Sequence, residues 1–155
     1  MLTTSDELQN VTSRYVRNVD SADHPAQMDL FCDDAVVRVF ASSDSSERLL
    51  HGPIVGGRAF VEASFALRAP IPAHRRTRHC TFDRLLTVDG DSAATEMQFL
   101  VVHTERLGSG ECRSTIVETG AYRFGFRRIG YVWLISKLDI IIDMPESLTR
   151  VSVQA

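Results

Sequence analysis

Apolar residues recur at intervals of three or four positions along the amino-terminal segment, which predicts an amphipathic helix with one buried stripe. The stripe consists of Leu8, Val11, Tyr15 and Val19. A capping-box pattern over residues 4–7 is typical of a helix start, and we expect the helix to end near Asp20.

Shorter elements are predicted in the next fifty residues. A second helix is expected from Asp23 to the acidic pair at residues 33–34. Residues 35–41 have the composition of a strand, residues 42–47 of a polar loop, and residues 58–67 of a third helix.

From about residue 77 the pattern changes to four long β-type runs, at residues 77–88, 92–104, 112–128 and 131–143. Helices first and a β-meander second indicate the α+β class. Because long antiparallel strands twist, we expect a cone-shaped curled antiparallel sheet whose N-terminal helices enclose a pocket.

The composition is that of a globular domain. The 155 residues are 44% apolar and 24% charged, and no apolar stretch approaches the roughly 18 residues of a membrane span. We therefore expect a soluble single domain over 1–155, with a core at about 5–143 and a C-terminal tail at 144–155. The amino terminus lacks the features of a signal peptide, which favours a cytoplasmic location.

The net charge and the cysteine spacing exclude some classes of binding partner, disulfide framework and metal site. The net charge is −3, and the basic cluster around Arg76 has no matching stripe elsewhere, so we expect no nucleic-acid partner. Cys32, Cys80 and Cys112 are odd in number and widely spaced, which argues against a disulfide framework and against a CxxC zinc site.

Two residues are candidates for acid–base chemistry. Asp20 falls at the carboxyl end of the first helix, where a negative charge is unfavourable unless a cation or donor is near. His79 shares a strand face with Thr81 and Asp83, and the opposite face is more apolar, so we expect His79 to face solvent or a polar cavity. A structural role is the alternative for both residues.

His103 ends a run whose apolar face also carries Met97 and Phe99. A two-residue loop at residues 89–90 would place His79 opposite Leu100, so that the two histidines would lie on opposite faces of the sheet. They share a face only if a β-bulge or a longer turn shifts the pairing by one residue.

The third long run presents Glu118, Tyr122 and Phe124 on one face. A tyrosine hydroxyl at position 122 is able to polarise an oxygen atom of a bound molecule, or to bond to the backbone within the core. Tyr15 has the same two alternatives. Arg127, Arg128 and Asp139 are interpreted as solvated or sheet-edge charges without chemistry.

Four segments together resemble the scytalone dehydratase and SnoaL-like polyketide cyclase group of the nuclear transport factor 2-like superfamily. They read YVRNVDSADHPAQMDLF, DDAVVRVF, TRHCTFDRLLTVDGDSAA and GAYRFGFRRIGYVWLISKLDI. The resemblance covers roughly residues 11–143 and implies a cystatin-like α+β barrel.

The resemblance implies that Asp20 orients His79 as general base, with His103 as a second histidine and no cofactor or metal. The dehydratase's tyrosine on the first strand corresponds to Phe40 here, and its asparagine on the third long strand corresponds to Tyr122. These two departures put the dehydratase's own substrate in doubt. The substrate-contacting set implied is Tyr15, Phe40, Met97, Phe99, Glu118, Tyr122 and Phe124.

The sequence favours a cofactor-independent acid–base enzyme, a dehydratase or cyclase of polyketide-type secondary metabolism, acting on a small apolar oxygenated metabolite. One alternative is a non-catalytic binding or assembly module of the same fold, such as the small subunits of ring-hydroxylating dioxygenases. Another is an epoxide-opening enzyme that uses Glu118 with Asp20 or Asp83. A homodimer is expected because exposed faces of curled sheets commonly pair between subunits.

Overall fold

The computed structural model describes residues 2–43, 46–66 and 72–143, and the backbone of 151–154. The elements in chain order are α1 (Thr4–Ser21), α2 (His24–Met28), β1 (Phe31–Ser43), β2 (Ser46–Val55), α3 (Gly57–Ala66), β3 (Arg75–Asp89), β4 (Ser92–Arg106), β5 (Cys112–Ile129), β6 (Val132–Asp143) and β7 (Val151–Gln154). The predicted α+β class is confirmed.

One curled sheet has the strand order β2-β1-β6-β5-β4-β3, and β7 pairs with β5. All neighbouring strands are antiparallel except β1 and β6, which run parallel. Alternate residues of β4 are buried, and they lie on the concave face of the sheet against α1. Strand β3 is the last strand in this order, so it forms a free edge of the sheet.

Helix α1 begins one residue earlier than its predicted capping box. Thr3 is the N-cap: its Oγ1 accepts from the Asp6 backbone N–H at 3.2 Å, and its own N–H donates to Asp6 Oδ2 at 2.9 Å. The side-chain and backbone hydrogen bonds from Thr3 lower the pKa of the Asp6 carboxyl. The helix extends to Ser21 and is closed by Ala22 in the left-handed conformation.

Replacing Thr3 with alanine is expected to lower the melting temperature by about 2–4 °C, because it removes the cap of α1. The matched control is Thr4→Ala, which changes the residue that the sequence pattern favoured as cap. Thermal unfolding followed by circular dichroism measures both variants. A larger effect at Thr4 than at Thr3 would contradict the observed capping geometry.

Three predicted boundaries around the first strand are wrong. Helix α2 ends at Met28, and residues 33–34 lie in β1, which is longer at both ends than predicted. Strand β2 was not predicted at all, because its Gly52-Pro53 pair indicates a turn and its residues are mostly exposed. The structure instead pairs β2 with β1 as an edge strand.

A β-bulge in β3 changes which side chains face the core. The register with β4 shifts between Phe82 and Leu85, and Asp83 adopts a positive φ of 53°. Inward positions are therefore odd-numbered before the bulge and even-numbered after it. The prediction of one continuous apolar face on β3 is wrong, because Phe82 is 42% exposed whereas Leu86 packs against the core.

Asp139 is buried, contrary to the prediction that it is a solvated charge. It is 4% exposed and accepts two hydrogen bonds from Arg38, each 2.8 Å long. Burial alone would raise the pKa of the Asp139 carboxyl, but the hydrogen bonds from Arg38 and Lys137 outweigh it and lower that pKa. This carboxylate fastens β6 to β1.

The predicted C-terminal tail contains a strand: β7 pairs with residues 113–116 of β5. The rest of that predicted tail, residues 144–150 and 155, lies outside the described residues. Among the described residues, no helix has the length and apolarity needed to cross a membrane.

Candidate functional site

Asp20 and His79 are in direct contact. Asp20 Oδ1 lies 2.6 Å from His79 Nδ1, and the two side chains are 9% and 11% exposed. The backbone N–H of His79 also donates to both carboxylate oxygens, at 3.2 and 3.1 Å. The pair predicted from the sequence is thus assembled across 59 residues of chain.

The contact forms because α1 lies along the free edge of the sheet. On an edge strand, alternate backbone N–H groups have no partner strand, and the N–H of His79 donates to Asp20 instead. At the other end of α1, Arg84 donates to the Ser5 hydroxyl at 2.7 Å. Helix α1 is therefore fastened to β3 near both ends, which fixes Asp20 beside His79.

This arrangement selects one tautomer of the imidazole. A carboxylate only accepts hydrogen bonds, so Nδ1 must carry the proton that it donates to Asp20. In the neutral ring, Nε2 is then an acceptor with a lone pair. The geometry thus leaves Nε2 as the ring nitrogen that is able to accept a proton.

His103 lies on the same face of the sheet as His79. The hairpin loop consists of residues 90–91, one position later than predicted, and the bulge at Asp83 then shifts the register by one. As a result, His79 pairs with Val101 and His103 with Thr77. Diagonal neighbours of this kind have Cα atoms about 7–8 Å apart. The β-bulge that the sequence analysis required for the two histidines to share a face is therefore present.

Glu118 is the second cross-strand neighbour of Val101, on the side away from His79. The concave face therefore has His79, Val101 and Glu118 in one row across three strands, with His103 diagonal to both polar residues. Asp83 is instead exposed at the bulge of β3, so the structure does not bring Asp83 and Glu118 together.

The remaining concave-face candidates form a packed wall. Tyr15 is 3% exposed and makes edge contacts with Tyr122 and Phe124, with ring centroids 5.7 and 5.3 Å apart. Tyr122 stacks on Phe99 at 4.2 Å, and Met97 is buried in the same cluster. These side chains form one packed cluster on the concave face of the sheet.

Phe40 is not part of the concave face. It pairs with Ile141 and lies on the same side of the sheet as Arg38, whose guanidinium carbon is 5.3 Å from the centre of its ring. Because Arg38 binds Asp139 on the convex side, Phe40 points away from the Asp20–His79 pair. The structure therefore does not bring Phe40 together with the Asp20–His79 pair.

A cavity of about 620 Å³ borders the Asp20–His79 pair, between α1 and β3. Its lining includes Arg17, Asp20, Ser21, Arg76, Arg78 and His79. Among the residues that the structure describes, neither His103 nor the aromatic wall lines this cavity. The sequence analysis noticed the arginine cluster, but it did not assign those side chains to the site.

Solved structures with similar folds have low sequence identity to this chain. The beta subunit assigned to an aromatic-ring-hydroxylating dioxygenase from Novosphingobium aromaticivorans is 22% identical, with a TM-score of 0.67, covering 90% of this chain and 88% of that one. A hexachlorocyclohexane dehydrochlorinase, LinA type 2, is 15% identical, with a TM-score of 0.67, covering 98% and 90%.

A third similar structure is a protein of unknown function with a cystatin-like fold from Nostoc punctiforme. It is 18% identical, with a TM-score of 0.69, covering 96% of this chain and 98% of that one. The comparison with curated proteins gives no significant match. The family model described as a SnoaL-like domain matches residues 1–139. The chain therefore belongs to the SnoaL-like domain family.

Proposed function

We propose that this protein is a cofactor-independent acid–base enzyme in which His79, oriented by Asp20, is the general base. The observation that carries the proposal is the 2.6 Å contact between Asp20 Oδ1 and His79 Nδ1, with both side chains about nine-tenths buried. A hydrogen bond to a charged acceptor at this length and burial holds the ring in one orientation and one tautomer.

The proposed reaction is the dehydration or ring closure of a small, mostly apolar oxygenated metabolite. In dehydration, His79 Nε2 removes a proton from the carbon next to a carbonyl group. The electron pair of the C–H bond forms the new double bond as the C–O bond at the neighbouring carbon breaks. The departing hydroxide takes the proton back from His79 Nε2 and leaves as water, which regenerates the neutral imidazole. His103, on the same face of the sheet, is the proposed donor to the developing oxyanion.

The family and fold support this choice of reaction class. One structure of similar fold is a dehydrochlorinase, an enzyme whose name denotes loss of hydrogen and chlorine from neighbouring carbons. Dehydration likewise removes a hydrogen atom and a leaving group from neighbouring carbons, and a positioned base such as His79 is suited to take the proton. We extend the proposal to polyketide-type secondary metabolism because of the SnoaL-like family.

The test is a turnover screen with cyclic β-hydroxy ketones and linear polyketide-like diketones, scored by mass spectrometry for loss of water and for ring closure. We expect wild-type turnover of at least one compound, reduced by about 10²–10⁴-fold in His79→Ala. Arg14→Gln, an exposed change on α1, is the control and retains the wild-type rate. Equal rates for wild type and His79→Ala across the panel would reject the proposed base.

A second candidate function is that of an assembly subunit, favoured by the similarity to a dioxygenase beta subunit. The outer side of the molecule exposes apolar side chains, including 73% of Leu85 and 92% of Tyr131.

We propose that the protein forms a homodimer through its exposed apolar side chains. Light scattering at micromolar concentration tests this proposal, and a monomer mass would exclude it.

A further inference from the structure

We propose that the cavity beside His79 binds an oxyanion of the substrate, a carboxylate or phosphate group, through Arg17, Arg76 and Arg78. The inference rests on the proposed function, because it names the substrate class of the same site. It follows from the charge of the cavity lining, in which the guanidinium groups come from two different elements, α1 and β3.

The positive charge is concentrated at this place in the molecule. The whole chain has a net charge of −3, yet the cavity lining contains three arginines and one carboxylate, Asp20. That carboxylate already accepts from the ring and the backbone of His79. It keeps its negative charge, so three arginines against one carboxylate leave the lining with an excess of two positive charges.

Within the described part of the chain, none of the three guanidinium groups has a carboxylate within 4.0 Å. Other arginines of this protein are paired: Arg75, in the same basic run, lies 2.5 Å from Glu105, and Arg123 bridges Glu47 and Glu96. All three arginines that border the cavity therefore lack a carboxylate partner, although some arginines elsewhere among the described residues, such as Arg14 and Arg113, also lack one.

The positions of Arg78 and Arg17 in the chain favour recognition of an anion next to His79. Arg78 directly precedes His79, and its Nη1 donates to the Thr77 carbonyl at 3.0 Å, which restrains the guanidinium at the sheet edge. A guanidinium has five N–H donors, so most of its donors stay available for a carboxylate or phosphate. Arg17 lies one helical turn before Asp20 and approaches from the opposite wall.

The cavity volume fits a compact metabolite. About 620 Å³ lies within the usual range for small-molecule sites. An anionic group held by the arginines would leave the rest of the molecule beside His79, where a proton next to a carbonyl is accessible to Nε2. This predicts a substrate that has both a carbonyl group and a separate carboxylate or phosphate.

The test measures binding by calorimetry and by two-dimensional NMR, with benzoate, phenyl phosphate and neutral benzamide as probes of similar shape. We expect both anions to bind wild type and to shift resonances around His79, with benzamide at least about tenfold weaker. Whichever of benzoate and phenyl phosphate binds more tightly identifies carboxylate or phosphate as the preferred group. Raising the ionic strength to about 0.5 M is expected to weaken anion binding.

The double variant Arg76→Gln/Arg78→Gln is expected to lose about tenfold or more in anion affinity, while Arg14→Gln, on the same helix as Arg17 but outside the cavity, retains it. Arg76 and Arg78 are exposed, so an unchanged melting temperature verifies the fold. Equal affinities of the double variant and wild type, or of benzoate and benzamide, would overturn the proposal.

The two proposals fail in different ways. Binding is measured without turnover, so an anion site that persists in a protein with no His79-dependent turnover would leave the arginine proposal intact and refute the enzyme. Conversely, His79-dependent turnover of neutral ketones, with no anion binding, would retain the general base and refute the oxyanion site.

Discussion

Asp20→Asn is expected to reduce turnover by about as much as His79→Ala, on the order of 10²–10⁴-fold, although Asp20 itself transfers no proton. An asparagine amide is able to donate to Nδ1, which stabilises the tautomer protonated on Nε2. That tautomer has no lone pair at the nitrogen that faces the substrate. The change also removes the negative charge that stabilises the imidazolium.

Two measurements separate this effect from simple damage to the fold. Nitrogen-15 NMR of the imidazole is expected to show the Nδ1–H tautomer in wild type and a shift toward Nε2–H in Asp20→Asn. The double variant Asp20→Asn/His79→Ala is expected to be no slower than His79→Ala alone, because the two residues act as one unit. Additive losses would contradict the proposed coupling.

Arg38→Met is expected to destabilise the protein by about 2–3 kcal/mol at neutral pH, because it leaves the buried Asp139 carboxylate without its main donor. The value is taken from the lower part of the usual range for two reasons. Lys137 still lies 3.2 Å from Asp139, and a third of the Arg38 side chain is exposed. Denaturant unfolding followed by fluorescence of Trp133 measures the change.

The matched control is Arg58→Met, because Arg58 and Glu62 form an exposed pair at 3.7 Å. We expect that change to stay within about 0.5 kcal/mol. Arg38→Met/Asp139→Leu, which removes both charges, is expected to recover most of the lost stability. An equal loss in the control and in Arg38→Met would contradict the structural role of the pair.

The same pair predicts a pH dependence. The Asp139 carboxyl has its pKa lowered in the folded state, so its contribution is complete above the ordinary value of 3.8 and disappears as pH falls through the folded pKa. The stability difference between wild type and Arg38→Met is therefore expected to shrink below about pH 4. A difference that stays constant into the acid range would show that the ion pair is not its cause.

Much of the fold was predictable because the elements concerned are long and periodic. The stripe on α1 and the four runs of β3 to β6 each repeat their pattern several times, so local errors at the ends do not change the assignment. Strand β2 lacked such a pattern, since its exposed residues and its Gly52-Pro53 pair indicate a turn. Only pairing with β1 makes it a strand.

The site was predictable in part. Asp20 and His79 were selected by residue type, position in the helix and strand, and family resemblance, and the structure brings them into contact. The structure places Phe40 on the opposite face of the sheet from that pair, which the sequence did not indicate, because the face that a strand residue occupies depends on which side of the sheet the helices cover. The burial of Asp139 was also missed, since its partner Arg38 lies 101 residues away in sequence.

By itself the sequence determined the α+β class, the single amphipathic α1 and the four long strands, because these follow from local periodicity and turn residues. Only the tertiary structure decided that His79 and His103 share a face of the sheet. The extra residue at Asp83 reverses the face on which every earlier side chain of β3 lies, and the alternating sequence pattern does not show where such a residue is inserted. Likewise, the cavity lining that Arg17, Arg76 and Arg78 share with His79 depends on how α1 lies along the free edge strand β3. That placement is a packing outcome that no local pattern encodes.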